Sequence, residues 1–157
     1  MILDALVLQS KLFLAEDMNI EIQKVDTSDD SPDKLILKEY TSMIGTGGKL
    51  NMMVVISFDE KLLVHLVELF MEGEEVEEDE KEEIYDSVTG ETINTIIGLA
   101  LPIFPNRGKG ITITPPITIS DASNIKKYKN SRIVTANIET IHGDMSISAM
   151  GSEDTIR

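Results

Sequence analysis

A chain of 157 residues, 41% hydrophobic and 27% charged, carries enough apolar material for one domain with a sizeable core, which excludes wholesale disorder. Its net charge of −14 argues against a nucleic-acid ligand, which needs a basic patch, and against docking on anionic lipid; the ordinary reading of so much acid is solubility. With no cysteine there is no disulfide framework or zinc–thiolate centre, a composition that fits a reducing compartment.

In chain order, Leu3, Leu6, Val7, Ser10 and Phe13 recur at helical spacing, so residues 2 to 16 are predicted as an amphipathic helix. This segment contains Asp4 and lacks a basic start, so it is not read as a secretory signal. Residues 19–25 alternate as a strand, and the turn formers of 26–33 make a loop. Residues 34–43 and 49–58 are predicted as two strands joined through Gly45-Thr46-Gly47-Gly48 as a hairpin turn. Asp59 is a plausible cap for a helix running through Phe70.

Residues 72–83, EGEEVEEDEKEE, form a strongly acidic run, read as a solvated linker that becomes the start of the next helix, where acid suits the positive end of the dipole. That helix is predicted over 79–101 and is stopped by Pro102 and Pro105. The most apolar stretch, 96–104, is interrupted by Pro102 and is too short to span a bilayer. Strands at 110–120, 132–140 and 144–150 follow, with His142-Gly143-Asp144 as a hairpin tip. The order α-βββ-α-α-βββ lacks the alternation of a parallel sheet, so the fold class expected is α+β, a single domain over 1–157 with a mainly antiparallel sheet.

The chemistry is concentrated on the helix over 79–101. Ser87, Glu91 and Asn94 stand at i, i+4 and i+7, so at about 100° per residue their directions fall within roughly 60° of one another. Thr89, Ile93, Ile96, Ile97 and Ala100 gather on the opposite side and should face the core. Gly98 continues the polar stripe one turn beyond Asn94. It costs about 1 kcal/mol of helix propensity against alanine, and it lets another chain approach closely.

Ser87-x3-Glu91-x2-Asn94, followed by Ile96, Gly98 and Ala100, resembles the signature of the CheC/CheX/FliY family of chemotaxis phosphatases, and the length and element order suit the CheX branch best. In that signature an Asp or Ser precedes the Glu and Asn, and a proline lies further on at the following strand, where Pro115 and Pro116 stand here. Pro102 and Pro105 depart from it by ending the helix early. The shorter match Glu16-x-x-Asn19 has Leu12 where Asp or Ser belongs, and it lies where helix gives way to strand; it is read as chance.

The resemblance implies a phosphatase that hydrolyses the aspartyl phosphate of a CheY-like response regulator in chemotaxis or two-component signalling. Asn94 would orient the attacking water and Glu91 would pair with the partner's lysine, while Ser87 and Gly98 serve docking. No cofactor or metal of its own is implied, since the partner supplies Mg²⁺. The resemblance also implies a homodimer through sheet edges. With no transmembrane stretch or secretory signal read from the sequence, a cytoplasmic location is the default expectation. The alternative is a non-catalytic adaptor that binds a response regulator or flagellar switch component through the same helix face. Ser87 is not read as a nucleophile, because neither His65 nor His142 lies near it in sequence.

Three weaker signals are set aside. Gly45-Thr-Gly-Gly-Lys49 lacks the earlier glycine of a phosphate loop, Met43 standing there, and Leu50 occupies the place of its Mg²⁺ hydroxyl. His65 and His142 are too isolated to make a metal cluster. The loop at 106–110, NRGKG, is unusually basic for this chain and is read as a connection that could touch the partner.

Overall fold

The computed structural model describes residues 2–156. Helix α1 (Ile2–Leu12) buries Ile2, Ala5, Leu6 and Ser10, the face expected from the spacing. The Ser10 hydroxyl donates to the Leu6 carbonyl at 2.7 Å, which satisfies a polar group within an apolar face. A wider π turn (Phe13–Asp17) then lets Phe13 and Leu14 both turn inward. Asn19, at φ 53°, ends it, so Glu16 and Asn19 share no helical stripe.

Seven antiparallel strands form the main sheet: β1 (Ile22–Ser28), β3 (Tyr40–Gly48), β4 (Met52–Phe58), β5 (Ile111–Ile113), β6 (Ile117–Ile119), β8 (Ser131–Thr140) and β9 (Gly143–Ser152). Their order is β1-β8-β9-β4-β3-β5, with β6 also on β3. A separate ribbon pairs β2 (Lys34–Ile36) with β7 (Asn124–Lys126). Helices α1, α2 (Glu60–Phe70) and α3 (Lys81–Ala100) share one core with the sheet, and a short α4 (Glu153–Ile156) closes the described chain. This is the α+β, mainly antiparallel domain expected.

Four local expectations need correction. The turn formers Asp26–Ser28 belong to β1 rather than to a loop. As an edge strand, β1 keeps its ladder to Ala136 and Thr135 on β8 without needing apolar side chains there. Residues 34–43 are two strands rather than one. The break at Leu37 and Lys38 is held by the Ser123 carbonyl and the Ser57 hydroxyl, which accept from their backbone N–H groups at 2.9 and 2.6 Å.

Gly45–Gly48 does not turn. It lies within β3, and the hairpin falls at Lys49–Asn51, where the Thr46 hydroxyl donates to the Leu50 carbonyl and accepts from the Met52 N–H. The glycines permit close approach by the next segment: a β-carbon on Gly47 would lie 2.9 Å from the Thr112 hydroxyl, and one on Gly48 2.2 Å from the Gly110 carbonyl. Finally, 110–120 is two three-residue strands on either side of Thr114-Pro115-Pro116, because the prolines have no N–H to donate to a ladder.

The sheet is covered on both faces. Met52, Val54, Ile56 and Phe58 join the helix-side core, while Val55, Ile133 and Met150 pack with Leu35 under the β2–β7 ribbon. Met52 and Met53 therefore fill opposite sides of β4, one in each cluster.

Candidate functional site

Helix α3 begins at Lys81 with Glu82 and Glu83 in its first turn, after the acidic segment 72–80, which runs outside the helix and is mostly exposed. It ends at Ala100, and Pro102 falls in a 3₁₀ turn (Leu101–Ile103), so the prolines stop it as expected. Thr89, Ile93, Ile96, Ile97 and Ala100 are essentially fully buried. The Thr89 and Thr92 hydroxyls donate to the Tyr85 and Val88 carbonyls, both at 2.8 Å, so the buried face leaves no side-chain polar atom unsatisfied.

The opposite face is open. Ser87, Glu91, Asn94 and Gly98 are all exposed, and the Ser87, Glu91 and Asn94 side chains make no hydrogen bond or ion pair within the described residues. Ser87, Glu91 and Asn94 line a groove of about 620 Å³ together with Glu83, Asp86, Gly90, Pro116 and Thr118. Gly98 lies one turn past the groove, and a β-carbon there would meet nothing within 4 Å. All four residues picked from the sequence thus fall on one solvent-facing stripe.

The far wall of the groove is made by the segment between β5 and β6. Gly90 faces it: a β-carbon there would sit 3.4 Å from Pro116 Cβ and 4.0 Å from the Ser42 hydroxyl. The Ser42 hydroxyl donates to the Ile117 carbonyl at 3.2 Å, and the Thr114 N–H and hydroxyl bracket Gly45, which fixes Pro116 against the helix. Asp86 and Thr118 were not picked from the sequence. Asp86 is half-buried beside Ser87, and burial, then the neighbouring Glu82, raises its pKa above the usual carboxylate value. No spacing rule marks Thr118, because the β3–β6 pairing that places it, Ser42 opposite Thr118, is long-range.

Sequence separation also hid a contact elsewhere. The His65 and His142 rings stack face to face, 3.6 Å between centroids and 14° from parallel, where α2 meets the β8–β9 hairpin tip. Burial first, then His142, lowers the His65 pKa, while Glu68 opposes the shift. The pair does not line the groove, so it offers Ser87 no base. No cluster of three or more His, Cys, Asp or Glu side chains suited to a metal ion occurs among the described residues, and none of the described helices is long and apolar enough to cross a membrane.

With this geometry in view, the comparisons are specific. A search of curated proteins finds no significant match. Among solved structures, the chain is similar to the chemotaxis protein CheX from Desulfovibrio desulfuricans, with TM-score 0.76 and 15% identity over 94% of this chain and 97% of that one. It is similar to a CheC-like superfamily protein from Shewanella sp. PV-4, with TM-score 0.67 and 21% identity over 95% and 93%. A third similar structure is the CheX–CheY–BeF₃–Mg²⁺ complex from Borrelia burgdorferi, with TM-score 0.67 and 18% identity over 96% and 94%. At these identities the likenesses establish the fold. Residues 40–139, which include α3 and the β5–β6 wall of the groove, match the family described as chemotaxis phosphatase CheX, and the chain belongs to that family of phosphatases.

Proposed function

We propose that this chain hydrolyses the aspartyl phosphate of a CheY-like response regulator by laying the exposed face of α3 into the regulator's phosphorylation site. The observation that carries the reading is an exposed carboxamide, Asn94, and an exposed carboxylate, Glu91, less than one turn apart and without a side-chain partner among the described residues. The CheX family match and the CheX–CheY complex among the similar structures support it.

Phosphoryl transfer through a loose transition state needs little covalent help beyond a water held in line with the leaving oxygen. A carboxamide suits that task because its oxygen accepts from the water while its NH₂ donates to a phosphoryl oxygen. Asn94 fills this role. Water attacks phosphorus, the bond from phosphorus to the aspartyl oxygen breaks, and inorganic phosphate and the free carboxylate leave. Glu91 pairs with a lysine of the regulator and fixes how deeply the helix inserts. Ser87 extends docking toward the helix start, and Gly98 lets the partner's backbone come close. The Mg²⁺ belongs to the regulator, and this chain needs no cofactor of its own.

The proposal extends to a cytoplasmic location and to a homodimer joined through a sheet edge, for which the main sheet offers β1 on one side and β5 with β6 on the other. Phosphate release from a phosphorylated regulator with Mg²⁺ tests the catalytic core of the reading. Wild type accelerates release, and Asn94→Ala abolishes the acceleration while still binding the regulator. Binding without acceleration by wild type would make the protein an adaptor.

A further inference from the structure

The 28 acidic residues of this chain are distributed unevenly, with none between residues 92 and 120. Charge therefore reverses along α3. Its amino end carries the acidic run, Glu82, Glu83 and Asp86; beyond its carboxyl end come Arg107 and Lys109, with Lys49 beside them. Lys49 donates its backbone N–H to the Gly110 carbonyl at 3.0 Å, and its side chain lies so close that a β-carbon on Gly110 would be 2.9 Å from it. Lys49, Arg107 and Lys109 are exposed, and none forms an ion pair among the described residues.

The loop that carries these cations is held in place. Asn106 and Arg107 both adopt left-handed backbone, at φ 58° and 55°, a conformation that costs energy in non-glycine residues and persists only where surrounding contacts impose it. The next residue, Gly108, is pressed against the end of α3: a β-carbon there would lie 2.6 Å from the Leu101 carbonyl. Leu101 follows Asn94 by seven residues, so it lies on the same helix face about 10 Å along the axis. Around this end Leu99 is 51% and Ile103 41% exposed. Cations near a helix carboxyl end also complement its dipole. That effect accounts for one such charge but not for three without carboxylate partners beside uncovered aliphatic side chains.

We infer that the docking surface runs past Gly98 over the end of α3 onto the 105–110 loop. There Arg107, Lys109 and Lys49 meet acidic groups around the regulator's phosphorylation site. The inference rests on the reading above and names the part of the surface whose charge is opposite to the chain's net −14. Continuity with the Ser87–Gly98 stripe, the face proposed to enter the regulator, selects the regulator over a second copy of this chain.

The test is kinetic and uses the full chain with a CheY-type regulator phosphorylated by acetyl phosphate and Mg²⁺. The double variant Arg107→Glu/Lys109→Glu is expected to lose about tenfold in kcat/KM at low ionic strength, through KM, with kcat within about twofold. Screening should shrink that deficit to about twofold near 0.5 M salt, while wild type holds or gains rate as its global repulsion is screened. A loss that ignores salt, or no loss at low salt, would overturn the inference. If wild type accelerates nothing, catalysis fails separately, and binding to the beryllofluoride–Mg²⁺ regulator decides the surface. Tenfold weaker binding by the charge-reversal variant then sustains it, and equal or absent binding overturns it. A wild-type dimer that this variant splits would assign the surface to a second copy and overturn it as well.

Discussion

The two faces of α3 divide the labour of the molecule. On one, Val88, Thr89, Thr92, Ile93, Ile96, Ile97 and Ala100 are buried, every hydroxyl among them is bonded, and contacts run to α1, α2, β3 and β4. On the other, Ser87, Glu91, Asn94 and Gly98 touch solvent, and the Ser87, Glu91 and Asn94 side chains bond to nothing among the described residues. The first face holds the helix in place, and the second is the one proposed to meet another molecule. Stability and activity therefore belong to different residues of one element, and substitutions on the two faces should separate the properties.

The largest expected effect lies on the buried face. Ile93→Ala removes a fully buried side chain and should lower unfolding free energy by about 2–5 kcal/mol in denaturant titrations. Phosphatase rate per folded molecule should change little, and a large rate loss at preserved stability would break the division. Next, Asn94→Ala should cost about a hundredfold in phosphate release, close to 3 kcal/mol of barrier, with an unchanged unfolding midpoint. A drop in that midpoint would show that the amide has a structural duty after all.

Gly98→Ala sharpens the comparison because it should act on both properties with opposite signs. The new methyl meets nothing, so helix propensity alone raises stability by about 1 kcal/mol, or about 2–4 °C in melting temperature. The same methyl stands where the partner must approach, so KM should rise.

The smallest effect lies off α3, at the stacked histidines. Burial and His142 hold the His65 pKa below its unfolded value, so the stability the pair contributes is complete above that value, near pH 6.5, and is lost as pH falls through the lowered one. Glu68 on α2 opposes the loss; Asp59 and Asp144, which hold the adjoining turn, also lie nearby. Wild type should lose more melting temperature between pH 7 and pH 5 than His142→Gln does. Equal slopes would show that the stack is electrostatically idle.

Much of this was legible in the sequence, for local reasons. The helical stripe and its buried counterpart follow from 3.6-residue periodicity. The end of α3 follows from two prolines, and the β8–β9 hairpin from a polar turn between alternating segments. What escaped depends on pairings between distant residues. Gly45–Gly48 reads as a turn until β5 is seen crossing it, and 34–43 reads as one strand until Leu35 is found paired with Ile125. Asp26–Ser28 reads as loop because edge pairing leaves no apolar trace. His65 and His142 stand 77 positions apart, and only the docking of α2 against the hairpin tip joins them. The Gly90–Pro116 contact that walls the groove belongs to the same class: Pro116 was in view, but its meeting with Gly90 was not.

The placement of β9 has a consequence for how the molecule matures. It is the last strand along the described chain, yet it lies between β8 and β4, so without it the sheet divides into two unconnected parts. During synthesis α1 through α3 emerge well before β9, and their apolar surfaces have no complete sheet to cover until it arrives. Assembly of the sheet therefore waits for β9, and the Asn94 amide gains a rigid support only once that strand has been made. A growing chain still on the ribosome would display the motif without the platform that makes it useful.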